Sequence, residues 1–326
     1  MQEGLGPYKT VRLAAAVASA GGLGTVSIPG ISEEPESGAK ILRGYIEDAC
    51  ALTDGVLAVN VPVGADKSTG KVLPFSAAYV QAVVDAVRDR EIAKRLRVIT
   101  TSAGAPGAAR ALIENSGLIH IHKVGGTTQA IRAAKDGVDA IIASGYEAGG
   151  HTHSRPVHTF ILVPSVAEAV SIPVILAGGA RDGRSLAAAL AMGAEAVALG
   201  TRFVASRDNT DWNPAYAARI LAAGEGDDII FSAIYGPSRA LPSTGIDELA
   251  VLTAAGMDHE HLTRFKDERL IAGQRDGDMR GGILPCGQIA GALKELIDVA
   301  QFIPAMVEQA IEVIRSVAKL SNRICS

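Results

Sequence analysis

The stretch GYEAGGHTH (residues 145–153) sets two adjacent glycines, Gly149 and Gly150, before His151 and His153, directly after an apolar run. Imidazole titrates near neutral pH, so His151 is suited to take or give a proton. Adjacent glycines carry a high entropic cost on folding and are kept where something must approach the backbone closely. The pattern predicts a flat ring lying against Gly149 and Gly150, with His151 facing its reactive side.

A further glycine pair stands in AGGARDG (177–183), and a single glycine in LGTRF (199–203). Backbone N–H groups at such turns converge on anions, and a helix opening after each adds its dipole. Gly178, Gly179, Gly200 and Thr201 are therefore expected to cradle a phosphate; tight strand-to-helix turns are the alternative reading. Lys123 ends HIHKV after a run that should be buried, and an ammonium there needs an anionic or electron-rich partner. Asn60, in AVNVP, offers donors and an acceptor to an amide-like ring edge. Thr101 and Ser102 end another run and are weaker candidates. His153 and His158 with His151 match no zinc spacing and have no cysteine or carboxylate cluster beside them, so no metal is expected. His120 and His122 alternate within one run and read as structural.

These residues need elements to hold them. Near-continuous apolar runs recur at 22–27, 55–61, 96–102, 118–124, 138–144, 172–178 and 194–200, each the length of a strand buried on both faces. Ala-rich segments at helical spacing lie between them, at 11–20, 127–135, 165–170 and 183–192. With MQEGL (1–5) as a first strand the count reaches eight, which predicts an α/β fold, a (β/α)8 TIM barrel with its chemistry at the C-terminal strand ends. A doubly wound sheet would call for GxGxxG after the first strand, and none is present. The barrel is assigned to residues 1–205. Residues 206–284, polar and Gly/Asp-rich with helical fragments at 212–223 and 243–255, are read as a small domain inserted over its mouth. Helices at 288–300 and 305–320, the second starting just after Pro304, are expected to pack back on the barrel in residues 285–326.

Composition bounds the rest. Lys and Arg number 31 against 35 Asp and Glu, a net charge of −4, so no basic field for nucleic acid exists. Aromatic residues are 4% of a chain that is 48% hydrophobic, which leaves no stacking surface for single strands. No apolar run is long enough for a membrane span and no signal pattern opens the chain. Three scattered cysteines, Cys50, Cys286 and Cys325, suit a reduced cytoplasmic compartment.

The segments AAAVASAGGLG, VDAIIASGYEAGGH, VPSVAEAVSIPVILAGGARDGRSLAAALAMGAEAVALGTRF and GQIAG resemble the nitronate monooxygenase (2-nitropropane dioxygenase-like) family of FMN-dependent barrels, which includes flavin enoyl-thioester reductases and NADH:quinone reductases. The likeness covers most of residues 1–205 and the tail from about 280. It implies FMN, with phosphate at Gly178, Gly179, Gly200 and Thr201, flavin-edge contacts from Glu3, Gly4, Leu5, Asn60, Lys123 and Ala148 to Gly150, and His151 near the reactive flavin nitrogen. The resemblance departs from the family at Leu5, where Met is usual, and at HTH after the glycines. The chain also opens inside the family's first strand, so a preceding segment is expected to be missing. The implied function is oxidation of alkyl nitronates and nitroalkanes with O2. The alternatives are NAD(P)H-dependent reduction of a quinone or enoyl thioester, and a phosphate-ligand-binding barrel without redox chemistry. The expected partners are a small-molecule substrate, O2 and a second copy in a homodimer.

Overall fold

The computed structural model describes residues 1–64, 69 and 71–324. Within them the strands are β1 (Gly24–Val26), β2 (Leu57–Val63), β3 (Leu96–Ala103), β4 (Ile119–Val124), β5 (Ala140–Ser144), β6 (Gly150–His151), β7 (Val174–Ala177), β8 (Ala196–Ala198), β9 (Ile229–Ala233), β10 (Gly236–Leu241) and β11 (Leu284–Pro285). All seven apolar runs became strands of one curved sheet, ordered β1-β2-β3-β4-β5-β7-β8 and parallel throughout. The α/β barrel expectation holds.

The expected first strand is reduced to a bridge. Gln2 pairs with Leu199 in parallel and donates its N–H to Leu23 O at 2.9 Å, while Glu3 N donates to Leu199 O at 3.0 Å. Residues 1–3 thus lie between β8 and β1 as an eighth stave.

Side chains alternate across this sheet as the pleat requires. Ala58, Val98, Ile121, Ala140, Ile142, Ile175, Ala177 and Ala198 fill the barrel interior as one cluster. Val59, Val61, Ile99, Ile141, Ala143, Leu176 and Val197 face outward against helices. Burying each such aliphatic side chain contributes about 1.5–3 kcal/mol. The first helix, Val11–Ser19, packs so closely on β1 that a Cβ at Gly24 would stand 1.9 Å from Ala14 O.

The helices expected at 127–135 and 183–192 are present as Thr127–Lys135 and Gly183–Ala191. The one expected at 165–170 starts earlier, at Thr159. The helix expected over 288–300 is not formed: a 3-10 turn spans Gln288–Ala292, and Ile297 then pairs with Ser206. The last helix runs Val299–Ile324 with Pro304 inside it, rather than starting after Pro304. The Asp208 carboxylate accepts Val299 N at 2.8 Å and fixes that earlier start, a tertiary contact that overrides the local boundary signal.

A second sheet, β11-β10-β6 with β9 on β10, is antiparallel. Its member β6 belongs to the loop after β5, so the 206–284 segment is hydrogen-bonded to the loop that carries His151. Among the described residues no helix is long and apolar enough to cross a membrane. Among the described residues Cys50 and Cys286 form no disulfide, and Cys325 lies outside them.

Candidate active site

The C-terminal ends of the strands bring Glu3, Asn60 and Lys123 to the inner face of the barrel mouth. Lys123 shares the side of β4 that carries Ile121 into the interior, and its Nζ lies 3.3 Å from Glu3 Oε2. Glu3 Oε1 is buried with no partner among the described residues. Gly4 is a glycine because Asn60 lies against its backbone: a Cβ there would stand 2.3 Å from Asn60 Cγ. Thr100 Oγ1 donates to Asn60 Oδ1 at 3.0 Å and orients the amide. Leu5 turns its side chain into hydrophobic packing and leaves only its main chain for the mouth.

Thr101 is a correction. It points to the outer face of β3, fully buried, with Oγ1 2.7 Å from His120 Nε2 and 2.8 Å from His122 Nδ1. The strand's interior hydroxyl is Thr100, because the bulge between β2 and β3 at Leu57/Ala58 sets which residues face inward. Burial first, then the charge of neighbours, lowers the pKa of His120 to about 3. Burial likewise brings His122 to about 4, so both are neutral structural groups.

The loop after β5 is fastened at three points. Glu147 accepts from Thr159 N at 3.0 Å and Thr159 Oγ1 at 2.6 Å, capping the helix Thr159–Ala169, and His158 Nδ1 lies 3.3 Å from it. Arg239, 2% exposed, pairs with Asp228, donates to Tyr146 O at 2.9 Å and lies over the Tyr146 ring at 4.5 Å. Gly149 packs on the 286–287 backbone: a Cβ would meet Cys286 C at 2.4 Å. That chain crossing is what requires a glycine here. Gly150, at φ +69°, has open space where a Cβ would be, and Ala148 N donates to Gly145 O at 3.1 Å.

His151 stands open to the cleft on β6, paired with Ser238. Its Nε2 lies 3.1 Å from Nζ of Lys266 on the helix His259–Ile271. Enclosure by the cleft walls, then the charges of Lys266 and Lys123, push the imidazole pKa down to about 3. Lys266 is 4% exposed and burial lowers it to about 8. Asp267 accepts Ile31 N at 2.9 Å and Ser32 N at 2.8 Å. Sequence reasoning missed Lys266 because TRFKDERL reads as a solvated charge run. The available signal was its spacing of four from both Leu262 and Leu270, on the helix's buried stripe.

At the other strand ends Gly178 and Gly179 turn with φ of +93° and +77°. Thr201 Oγ1 accepts from Gly287 N at 2.8 Å and keeps its O–H to donate. The helix dipoles expected here are weak. Asp182 caps the helix Gly183–Ala191 with its own carboxylate, and the helix after Gly200 is only Thr201–Val204. His153 bonds within its own loop, to Arg155 O at 2.9 Å, away from His151 and His158. Among the described residues no group of three or more His, Cys, Asp or Glu is placed to hold a metal.

The family model for nitronate monooxygenase matches residues 1–309. The chain belongs to the nitronate monooxygenase family. A relative from Mycobacterium tuberculosis (strain ATCC 25618 / H37Rv), (3aS,4S,5R,7aS)-5-hydroxy-7a-methyl-1-oxo-octahydro-1H-indene-4-carboxyl-CoA dehydrogenase, is 30% identical over 98% of this chain and 95% of its own. A probable nitronate monooxygenase of Staphylococcus aureus (strain JH9) is 31% identical over 77% of each chain. The solved structure of FabK from Thermotoga maritima superposes with a TM-score of 0.83 at 31% identity, covering 98% of this chain and 94% of that one. This nitronate monooxygenase family member is an oxidoreductase.

Proposed function

We propose that this family member is an FMN-dependent oxidoreductase that oxidises alkyl nitronates with O2, and nitroalkanes by way of their nitronates. The observation that carries the reading is His151, open to the cleft and held neutral at the barrel mouth of a nitronate monooxygenase family chain.

The residues at the mouth fit that cofactor by the chemistry of their donors. Gly178 and Gly179 leave their backbone bare, and a Cβ on Gly179 would find only Glu147 atoms, none nearer than 3.8 Å. Among the described residues nothing accepts from Gly179 N or Thr201 N, which leaves both free for phosphate. Lys123 and the Asn60 amide offer donors to a flavin's ring carbonyls, and the unpartnered Glu3 Oε1 offers an acceptor to its ring N–H. Bound there, FMN would supply the redox chemistry, as acceptor of substrate electrons and donor to O2.

The chain's own groups handle the proton and the charge. A neutral His151 removes the α-proton of a nitroalkane as general base. The ammonium groups of Lys266 and Lys123 lie close enough to act on that imidazole, and they favour the anion left behind.

An anaerobic absorbance spectrum of the FMN-loaded protein tests this, before and after propyl-2-nitronate, NADH and NADPH in separate cuvettes. Bleaching by the nitronate is expected, and a flavin that stays oxidised with it overturns the reading. A second reading, NAD(P)H-dependent reduction of a quinone or enoyl thioester, is supported by the carboxyl-CoA dehydrogenase relative, matched over 98% of this chain. Bleaching by a nicotinamide alone would favour it.

A further inference from the structure

We infer that Lys266 and His151 form one proton relay, in which His151 takes the proton from a carbon acid and Lys266 finally holds it. The inference rests on the reading of His151 as base.

Lys266 is buried, and among the described residues its one hydrogen-bond partner is His151 Nε2, at 3.1 Å. Among the described residues no carboxylate lies within ion-pair reach: Asp267, its neighbour on the helix, is turned to the N–H groups of Ile31 and Ser32. A buried amine with no counter-ion gives up its proton readily. Burial sets Lys266 near 8, and enclosure together with the charges of Lys266 and Lys123 sets His151 near 3, so between the two the proton rests on lysine. The charged groups that face the pair are Asp267 on Lys266's own helix and Lys123, itself paired with Glu3, across the mouth. Glu33 and Tyr79 flank Asp267 from the first half of the chain.

The consequence concerns which nitrogen is free. When Lys266 is an ammonium it donates to Nε2, the imidazole proton sits on Nδ1, and no ring lone pair remains for substrate. When Lys266 is a free amine it accepts from Nε2–H and the Nδ1 lone pair opens. In that state the substrate C–H bond breaks and its electron pair stays on the substrate as the nitronate. Nδ1–H forms, Nε2–H breaks and Nζ–H forms. The pair gains one positive charge as the substrate gains one negative charge. His151 is neutral before and after.

Two measurements on the FMN-loaded protein test the relay. The first is nitrogen NMR of histidine-labelled protein. The expected result is an Nδ1–H tautomer at pH 7 that converts to Nε2–H as pH passes about 8, with no imidazolium. In Lys266→Met the ring instead titrates to imidazolium nearer its ordinary value. The second is the pH dependence of nitroalkane turnover relative to preformed nitronate. The ratio rises about tenfold per pH unit below the Lys266 midpoint and then levels. In Lys266→Arg, where the guanidinium stays charged and always donates, the rise disappears and the ratio falls at least about tenfold. An Nε2–H tautomer already present at pH 7, or a profile with the same midpoint in Lys266→Arg, overturns the relay. Failure of nitronate to bleach the flavin, with the tautomer switch intact, removes the nitronate reading and leaves the relay. Bleaching without the switch does the reverse.

Discussion

Lys123 and Glu3 meet across the barrel mouth, ammonium nitrogen 3.3 Å from carboxylate oxygen, one from the end of β4 and the other from the stave that closes the ring. The pair joins the chain's opening residues to the middle of the sheet at the level where ligands bind in such barrels. It is only partly shielded, with side-chain exposures of 26% and 13%, so its worth to folding is small. Its effect falls on whatever lies over it. Lys123→Ala leaves Glu3 as an unopposed carboxylate, which repels a flavin's carbonyl edge. FMN should bind about tenfold more weakly, near 1.4 kcal/mol, with the melting temperature nearly unchanged. Fluorescence titration of apoprotein with FMN measures this, and equal affinities would remove Lys123 from the cofactor site.

Gly149 and Gly150 answer to different constraints, and a matched pair of alanine variants separates them. At Gly149 the new methyl runs into the Cys286–Gly287 backbone, which has no soft side chain to yield. Overpacking of this kind costs about 1–3 kcal/mol, so the thermal midpoint should fall. At Gly150 the methyl enters open space, and the left-handed backbone costs about 1–2 kcal/mol. Gly150→Ala should therefore weaken FMN and substrate binding more than Gly149→Ala does. Thermal melts and titrations of both variants would show the reverse order if the ring rests on Gly149.

How far the site could be read from the chain follows from the same residues. The strands were legible because each is an uninterrupted apolar run, and Lys123 and Asn60 because a polar group at the end of such a run stands out. Gly149 was legible as a glycine under constraint, but the contact that requires it was not. Its constraint comes from Cys286 and Gly287, more than a hundred residues away, and no local pattern encodes that contact. Thr101 and Thr100 are adjacent hydroxyls whose faces are decided by one bulge in the sheet. The helix expected across 288–300 failed for the same reason: Ile297 is held by Ser206, and Val299 by Asp208.

The Thr101–His120–His122 cluster makes stability depend on pH. Folded pKa values of about 4 and about 3 lie below the unfolded value, near 6.5. The unfolded chain therefore binds protons first as pH falls. The stabilisation is complete above about pH 6.5 and is lost progressively down to about 3. The slope is about 1.4 kcal/mol per pH unit for each histidine, as an upper bound. Denaturant midpoints should drop between pH 7 and pH 5, and less steeply in a His120→Gln/His122→Gln variant. Equal slopes in the two proteins would mean that other groups govern the acid limb.

His151→Ala separates proton removal from electron transfer. A nitroalkane must lose its α-proton before it can be oxidised, whereas a preformed nitronate arrives without it. General bases contribute about a hundredfold or more to such steps. Turnover of nitroethane should therefore fall by about that factor, and turnover of ethyl nitronate by much less. The variant keeps the Gly150–Arg239 pairing that seats the loop, so the cleft retains its shape. It also removes the hydrogen bond between His151 and the Lys266 amine, and added imidazole should restore part of the nitroalkane rate by refilling that space. Steady-state rates with both substrates, with and without imidazole, make the comparison. Equal losses on the two substrates would mean that His151 binds the anion rather than forming it.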